Sequence, residues 1–158
     1  MPSNIQLFEK YNTNPVFIET GSYAGEGIRN AIFAGYKNIH SIELAEKYYQ
    51  FCKSYFKYID FVHLYEGDSV TILSCILDKI NTSITFWLDA HYSGGDTDFK
   101  DTLSPLMREL EIIKTHPIKT HTIIIDDLRE WHSDYPAIKF GTDEIKNKIL
   151  EINPNYIF

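Results

Sequence analysis

The chain of 158 residues reads as an α/β protein built on a mostly parallel, doubly wound sheet, and three observations predict this. Short apolar runs rich in strand-forming side chains alternate with stretches whose apolar residues recur at helical spacing. The first run, residues 16–18, empties through Glu19 and the turn residues Gly21, Ser22 and Gly25 into a helical pattern. Each of the five runs ends in acidic residues: Glu19, Glu43, Gly67-Asp68, Asp89 and Asp126-Asp127. Such alternation implies right-handed crossovers with helices on both faces of the sheet. Ligands of these sheets bind outside the carboxyl ends of the strands, so the acids should share one rim.

Residues 4–11 carry Ile5, Leu7 and Phe8 and are expected to form a leading helix too short to stand alone. After the first strand, Ile28, Ala31 and Ile32 repeat at helical spacing until Gly35, a C-terminal stop. Residues 38–43 set Ile39 and Ile42 among polar residues and read as strand two. Tyr48, Cys52, Tyr55, Phe56 and Ile59 then mark one face of a helix. Residues 61–65 form strand three, and Asp68 or Ser69 caps a helix whose buried stripe is Val70, Leu73, Ile76, Leu77 and Ile80.

Residues 84–88 are strand four and deliver Asp89. Residues 90–103 break every periodicity around Gly94-Gly95 and are expected to form a mobile active-site loop. Ser104-Pro105 suits the cap and first position of a helix with Leu106, Leu110 and Ile113 inward. Residues 121–125 are strand five; Thr142 is expected to cap a last helix through Ile145, Ile149 and Ile152, and residues 155–158 to start a sixth strand.

Length allows one domain, residues 1–158, and 44% hydrophobic with 15% aromatic residues is globular composition. A net charge of −7 without a Lys/Arg cluster argues against a nucleic-acid groove, which needs a basic stripe. No run approaches the roughly 20 apolar residues of a membrane span, and the N-terminus lacks a basic-then-apolar leader, so a cytoplasmic location is expected. Cys52 and Cys75 lack metal spacing and sit in helical apolar patterns, which reads as two buried free thiols.

The glycine turn could be an ordinary strand-to-helix connection. It does not fit the dinucleotide pattern G-x-G-x-x-G: counted from Gly21, Tyr23 and Glu26 stand where glycines are required. Glu43 at the end of strand two could accept both hydroxyls of a ribose or cap the next helix. Asp68 and Ser69 could face a ligand ring, cap a helix, or both. Asp89, Asp126 and Asp127 are hard oxygen donors that would repel one another unless protonated, solvated or neutralised by a cation such as Mg²⁺; the alternative is a set of solvated loop acids. His91 could be a general base, a metal ligand or a polar residue of the loop, and Tyr92, Trp131 and His132 could line an acceptor pocket or be rim aromatics.

The string Glu19-x-Gly21-x-x-x-Gly25-x-Gly27 resembles motif I of the class I S-adenosylmethionine-dependent methyltransferases, whose fold is Rossmann-like. Phe86-Trp87-Leu88-Asp89-Ala90-His91 and Ile124-Ile125-Asp126-Asp127 look like the two metal-bearing strand ends of the metal-dependent O-methyltransferases, closest to the macrocin (TylF-like) sugar group and more distantly to the catechol type. The resemblance implies a methyl transfer to a hydroxyl of a small molecule or sugar. It assigns cofactor binding to Glu19, Thr20, Gly21, Ser22, Gly25, Glu43, Gly67, Asp68, Ser69 and Asp89, and a divalent metal to Asp89, Asp126 and Asp127. The chain departs from the family two positions after Asp89, where the sugar enzymes place an acid as base and this sequence has His91; the imidazole's own chemistry suits a base, so Asp89 and His91 are the expected catalytic residues. The family's sheet ends in a sixth strand and an antiparallel seventh; no residues here remain for the seventh, so the sheet is expected to lack it, leaving strand five poorly covered and a homo-oligomer open. The rival readings are a nucleotide-cofactor oxidoreductase, which the glycine spacing disfavours, and a non-catalytic S-adenosylmethionine-binding domain.

Overall fold

In the computed structural model, residues 4–89, 105–126 and 141–158 are described. They place five strands in one all-parallel sheet of order β3-β2-β1-β4-β5. The elements in chain order are α1 (Asn4–Lys10), β1 (Val16–Thr20), α2 (Glu26–Phe33), β2 (Ile39–Glu43), α3 (Glu46–Tyr55), β3 (Val62–Glu66), α4 (Ser69–Leu77), β4 (Ile84–Leu88), α5 (Leu106–Thr115), β5 (Thr122–Ile125) and α6 (Thr142–Ile152). The chain winds outward from β1 to β3, crosses back beside β1 as β4, and continues to β5. The order therefore reverses between β1 and β4, the place where open sheets of this kind leave a crevice for ligands.

Strand alternation divides the core in two. Val16, Ile18, Ile42, Ile84, Phe86 and Leu88 face α4, α5 and α6, where they pack with Leu73, Leu110 and Ile149. Phe17, Ile39 and Trp87 face the other way, against Phe8, Ile28 and Cys52 from α1, α2 and α3. The Phe8 ring meets Trp87 edge-on at 5.1 Å, so the short leading helix is held by aromatic packing rather than by its own propensity. Among the described residues, no helix is long and apolar enough to cross a membrane.

Several expectations need correction. Residues 155–158 form no strand: Asn153 ends α6, its side chain accepts from Asn155 N at 3.0 Å, and the resulting turn leaves Ile157 95% exposed with no sheet neighbour. Cys75 is exposed, because the buried stripe of α4 is Val70, Leu73, Ile76 and Leu77 and residue 75 points away from it; Cys52 is buried as expected. Tyr55 is 58% exposed and stacks on Phe51, since the inward row of α3 steps by fours through Cys52 to Phe56. The caps shift by one residue: Pro105 and Gly141 occupy the cap positions of α5 and α6, and Thr142 is the first residue of its helix. Ser104 lies outside the described residues.

Candidate functional site

Backbone hydrogen bonds lace the strand ends into one level rim. Gly21 N donates to Ile42 O at 2.9 Å, Gly67 N to Glu43 O at 2.9 Å, Asp89 N to Thr20 O at 3.1 Å and Asp126 N to Leu88 O at 3.2 Å. Glu19, Glu43, Asp68, Asp89 and Asp126 thus gather along the carboxyl edge, as the alternation of elements requires.

The turn after β1 is shaped by close approach from below. Gly25 adopts φ +73, and a Cβ there would lie 2.7 Å from the Phe56 ring. At Gly27 a Cβ would meet Glu19 Oε1 at 1.7 Å, so the helix can start over the buried acid only because this residue has no side chain. Tyr23 also has a positive φ, 42, which a tyrosine adopts at some cost. Its N–H donates to Glu43 Oε2 at 2.7 Å, an interaction that offsets that cost.

Glu43 joins two loops. Besides Tyr23 N it accepts Ala45 N on Oε1 at 2.8 Å, just before α3. The capping role and a ligand role are compatible, because a carboxylate has about four acceptor positions and two are used here. Asp68 stands at the cap position of α4 but accepts from the Thr71 hydroxyl at 3.0 Å rather than from a helix N–H.

Glu19 and Thr20 point to opposite faces of β1, and each heads its own buried polar group. On the α2 side the Ser41 hydroxyl donates to Glu19 Oε2, and Ser22 Oγ lies 2.5 Å from Ser41 Oγ. Burial pushes the Glu19 carboxyl up to about 8; the Ser41 bond opposes this and the charges of Asp89 and Glu43 add to it. Ser41 is Glu19's neighbour in the β1–β2 register, a polar residue inside a strand whose residues are all buried.

On the other face, Thr20 meets Ser69 and Glu109. Glu109 is 1% exposed, and burial raises its carboxyl to about 7, with the Ser69 and Thr20 hydroxyls softening the rise and Asp68 and Asp89 adding to it. Neither hydroxyl reaches it with normal hydrogen-bond geometry: among the described residues, both Glu109 oxygens and Thr20 Oγ1 are buried without a partner. Sequence reasoning missed Glu109 and Ser41. The signal for Glu109 was present, an acid three residues after Leu106 on the same inward stripe as Leu110 and Ile113.

Asp89 and Asp126 follow adjacent parallel strands, β4 and β5, and Asp89 is felt electrostatically by both Glu19 and Glu109. Asp127, His91, Tyr92, Trp131, His132 and the 90–103 loop lie outside the described residues. Among the described residues, no three His, Cys, Asp or Glu side chains are placed to hold a metal ion together.

No family model matches the chain, and no curated protein matches it. Solved structures share its fold. The SAH-bound Podospora anserina methyltransferase PaMTH1 is 15% identical with a TM-score of 0.64, over 94% of this chain and 62% of that one. The O-methyltransferase from Bacillus cereus in complex with SAH is 10% identical with a TM-score of 0.63, over 94% of this chain and 66% of that one. This chain spans less than two thirds of the length of each of those proteins.

Proposed function

We propose that this chain forms a single S-adenosylmethionine-binding domain and transfers the cofactor's methyl group to a hydroxyl of a small molecule or sugar. The observation that carries the reading is Glu43, an acid at the end of β2 whose carboxylate is held against the glycine turn after β1 and keeps acceptor positions for a ribose. Support comes from the fold it shares with SAH-bound methyltransferases. The sign of the rim agrees: carboxylates complement a sulfonium cation, whereas a dinucleotide pyrophosphate would face repulsion from Glu43, Asp68 and Asp89.

When bound, S-adenosylmethionine supplies an electrophilic methyl carbon on a sulfonium sulfur. Glu43 would accept the ribose hydroxyls, Gly67, Asp68 and Ser69 would hold the adenine, and Glu19, Thr20, Gly21, Ser22 and Gly25 would hold the methionine end. Asp89 and Asp126, hard oxygen donors on neighbouring strand ends, fit a divalent ion such as Mg²⁺ with Asp127 as third ligand, and such an ion lowers the pKa of an acceptor hydroxyl. His91 would take the proton of the acceptor hydroxyl as the cofactor's methyl group is transferred to it, and the chain's share of the acceleration would be largely positioning.

Titration calorimetry with S-adenosylhomocysteine, followed by methyl-transfer assays over hydroxyl acceptors, tests the reading. Binding with turnover on an alcohol or sugar is expected. Absence of binding removes the reading, and binding without turnover across acceptors reduces it to the cofactor-binding domain.

A further inference from the structure

A second cleft, of about 460 Å³, runs along the outer edge of the sheet between β3 and α4 and shares no lining residue with the rim. Its size is that of a small-molecule site. One wall is a row of flat rings. His40 and His63 are register partners on β2 and β3 with ring centroids 4.8 Å apart, and Tyr65 stacks on His40 at 5.8 Å and 17°. The facing wall is aliphatic, made by Ile72, Ile76 and Ile80 of α4 and the turn after it.

The polar groups gather at one end. α4 returns antiparallel to the strands, so Lys79, just beyond its end, lies level with Asn38 and His40 at the start of β2, while Ile72 lies level with Tyr65. His40 is 9% exposed; its Nδ1 lies 2.9 Å from the Tyr65 hydroxyl, and its Nε2 is buried with no partner. In the tautomer whose Nδ1 accepts from that hydroxyl, Nε2 carries a proton and lacks an acceptor among the described residues. In a chain of net charge −7, among the described residues no carboxylate lines this cleft, and the permanent charge they place there is the Lys79 ammonium. Two walls that would sandwich a ring, and an end that carries an ammonium beside an unsatisfied imidazole nitrogen, define one class of occupant.

We infer that this cleft binds a small aromatic carboxylate, its ring between the histidine–tyrosine wall and the isoleucines and its carboxylate at the Lys79, Asn38 and His40 end. The inference is independent of what the rim does.

Cys75 lines the same cleft and is exposed, whereas Cys52 is buried, so alkylation by iodoacetamide reports occupancy at a single thiol. The probe is 2-naphthoate, with the uncharged isostere 2-naphthamide as its control. 2-Naphthoate is expected to slow Cys75 alkylation saturably and to shift the amide resonances of His63, Tyr65 and Lys79, and 2-naphthamide to do neither. Lys79→Met, which keeps the stem and removes the charge from an exposed position, should raise the half-saturating concentration by about tenfold or more without lowering the melting temperature. No protection at about 1 mM naphthoate, equal protection by the amide, undiminished protection in Lys79→Met, or resonance shifts confined elsewhere would each overturn the inference.

Discussion

Glu19 and Gly27 share one space: a Cβ on Gly27 would lie 1.7 Å from the Oε1 atom of the buried acid. Gly to Ala within a helix ordinarily stabilises by roughly 0.5–1 kcal/mol. Here the sign should reverse, with Gly27→Ala costing about 1–3 kcal/mol as the methyl forces Glu19 off its Ser41 bond. Urea unfolding of the single variants and of Glu19→Ala/Gly27→Ala checks this. The double variant should recover much of the loss, and additive losses would mean that the two residues do not compete.

Glu43 should act on stability and on binding together. Glu43→Ala leaves the N–H groups of Tyr23 and Ala45 without their acceptor, which costs about 1–3 kcal/mol for each group that water does not reach. Because one of them belongs to the glycine turn, S-adenosylhomocysteine affinity should fall by about tenfold or more. Calorimetry showing unchanged affinity in a folded variant would take Glu43 out of the cofactor site.

Among the described residues, four buried groups shift the response to pH, in opposite directions. Burial, aided by a neighbouring histidine, lowers His40 and His121 from 6.5 to about 4, so their contribution is complete above pH 6.5 and lost as pH falls toward 4. Glu19 and Glu109 are raised from 4.5 to about 8 and about 7, so folding favours their protonated forms, and stability is lost as pH rises from 4.5 through those values. Between 4.5 and 6.5 the two pairs oppose each other and the profile should be nearly flat. Above 6.5 only the carboxyls act, and stability should decline toward pH 8 by at most about 1.4 kcal/mol per pH unit for each group. Glu19→Gln should remove most of the slope between pH 7 and 8 in denaturant titrations; an unchanged slope would place the ionisation elsewhere.

The strands were legible because each is a short apolar run bounded by acids or glycine, and parallel pairing followed from the helical stretches between them. The rim was legible for the same reason, since strand ends in such a sheet share an edge. Periodicity reports which side of an element is buried but not what its polar atoms touch. Ser41 and Glu109 were therefore missed, although each is a polar residue at an inward position: Ser41 bonds the rim acid Glu19, and Glu109 is itself raised by the rim acids Asp68 and Asp89. Residues 155–158 looked like a strand by composition, yet the Asn153 turn directs them away from the sheet. Cys75 shows the reverse error: an apolar neighbourhood in sequence became the exposed side of α4 in space.

Asp126 N bonds Leu88 O, so Asp126 and Asp89 follow neighbouring strand ends, beside two further carboxyls, Glu19 and Glu109, that Asp89 raises. A cation there would relieve repulsion among the acids and grip an acceptor oxygen, a role separate from holding the cofactor. Mn²⁺ titration should therefore show a site in the native chain that Asp126→Asn and Asp127→Ala weaken by about tenfold or more. Excess chelator should abolish methyl transfer while S-adenosylhomocysteine affinity stays within about twofold. His91→Ala should leave Mn²⁺ binding intact and lower turnover by about 10²- to 10⁴-fold, the usual contribution of a general base. Full turnover in excess chelator would remove the ion from the reaction, and loss of Mn²⁺ binding in His91→Ala would make His91 a ligand rather than the base.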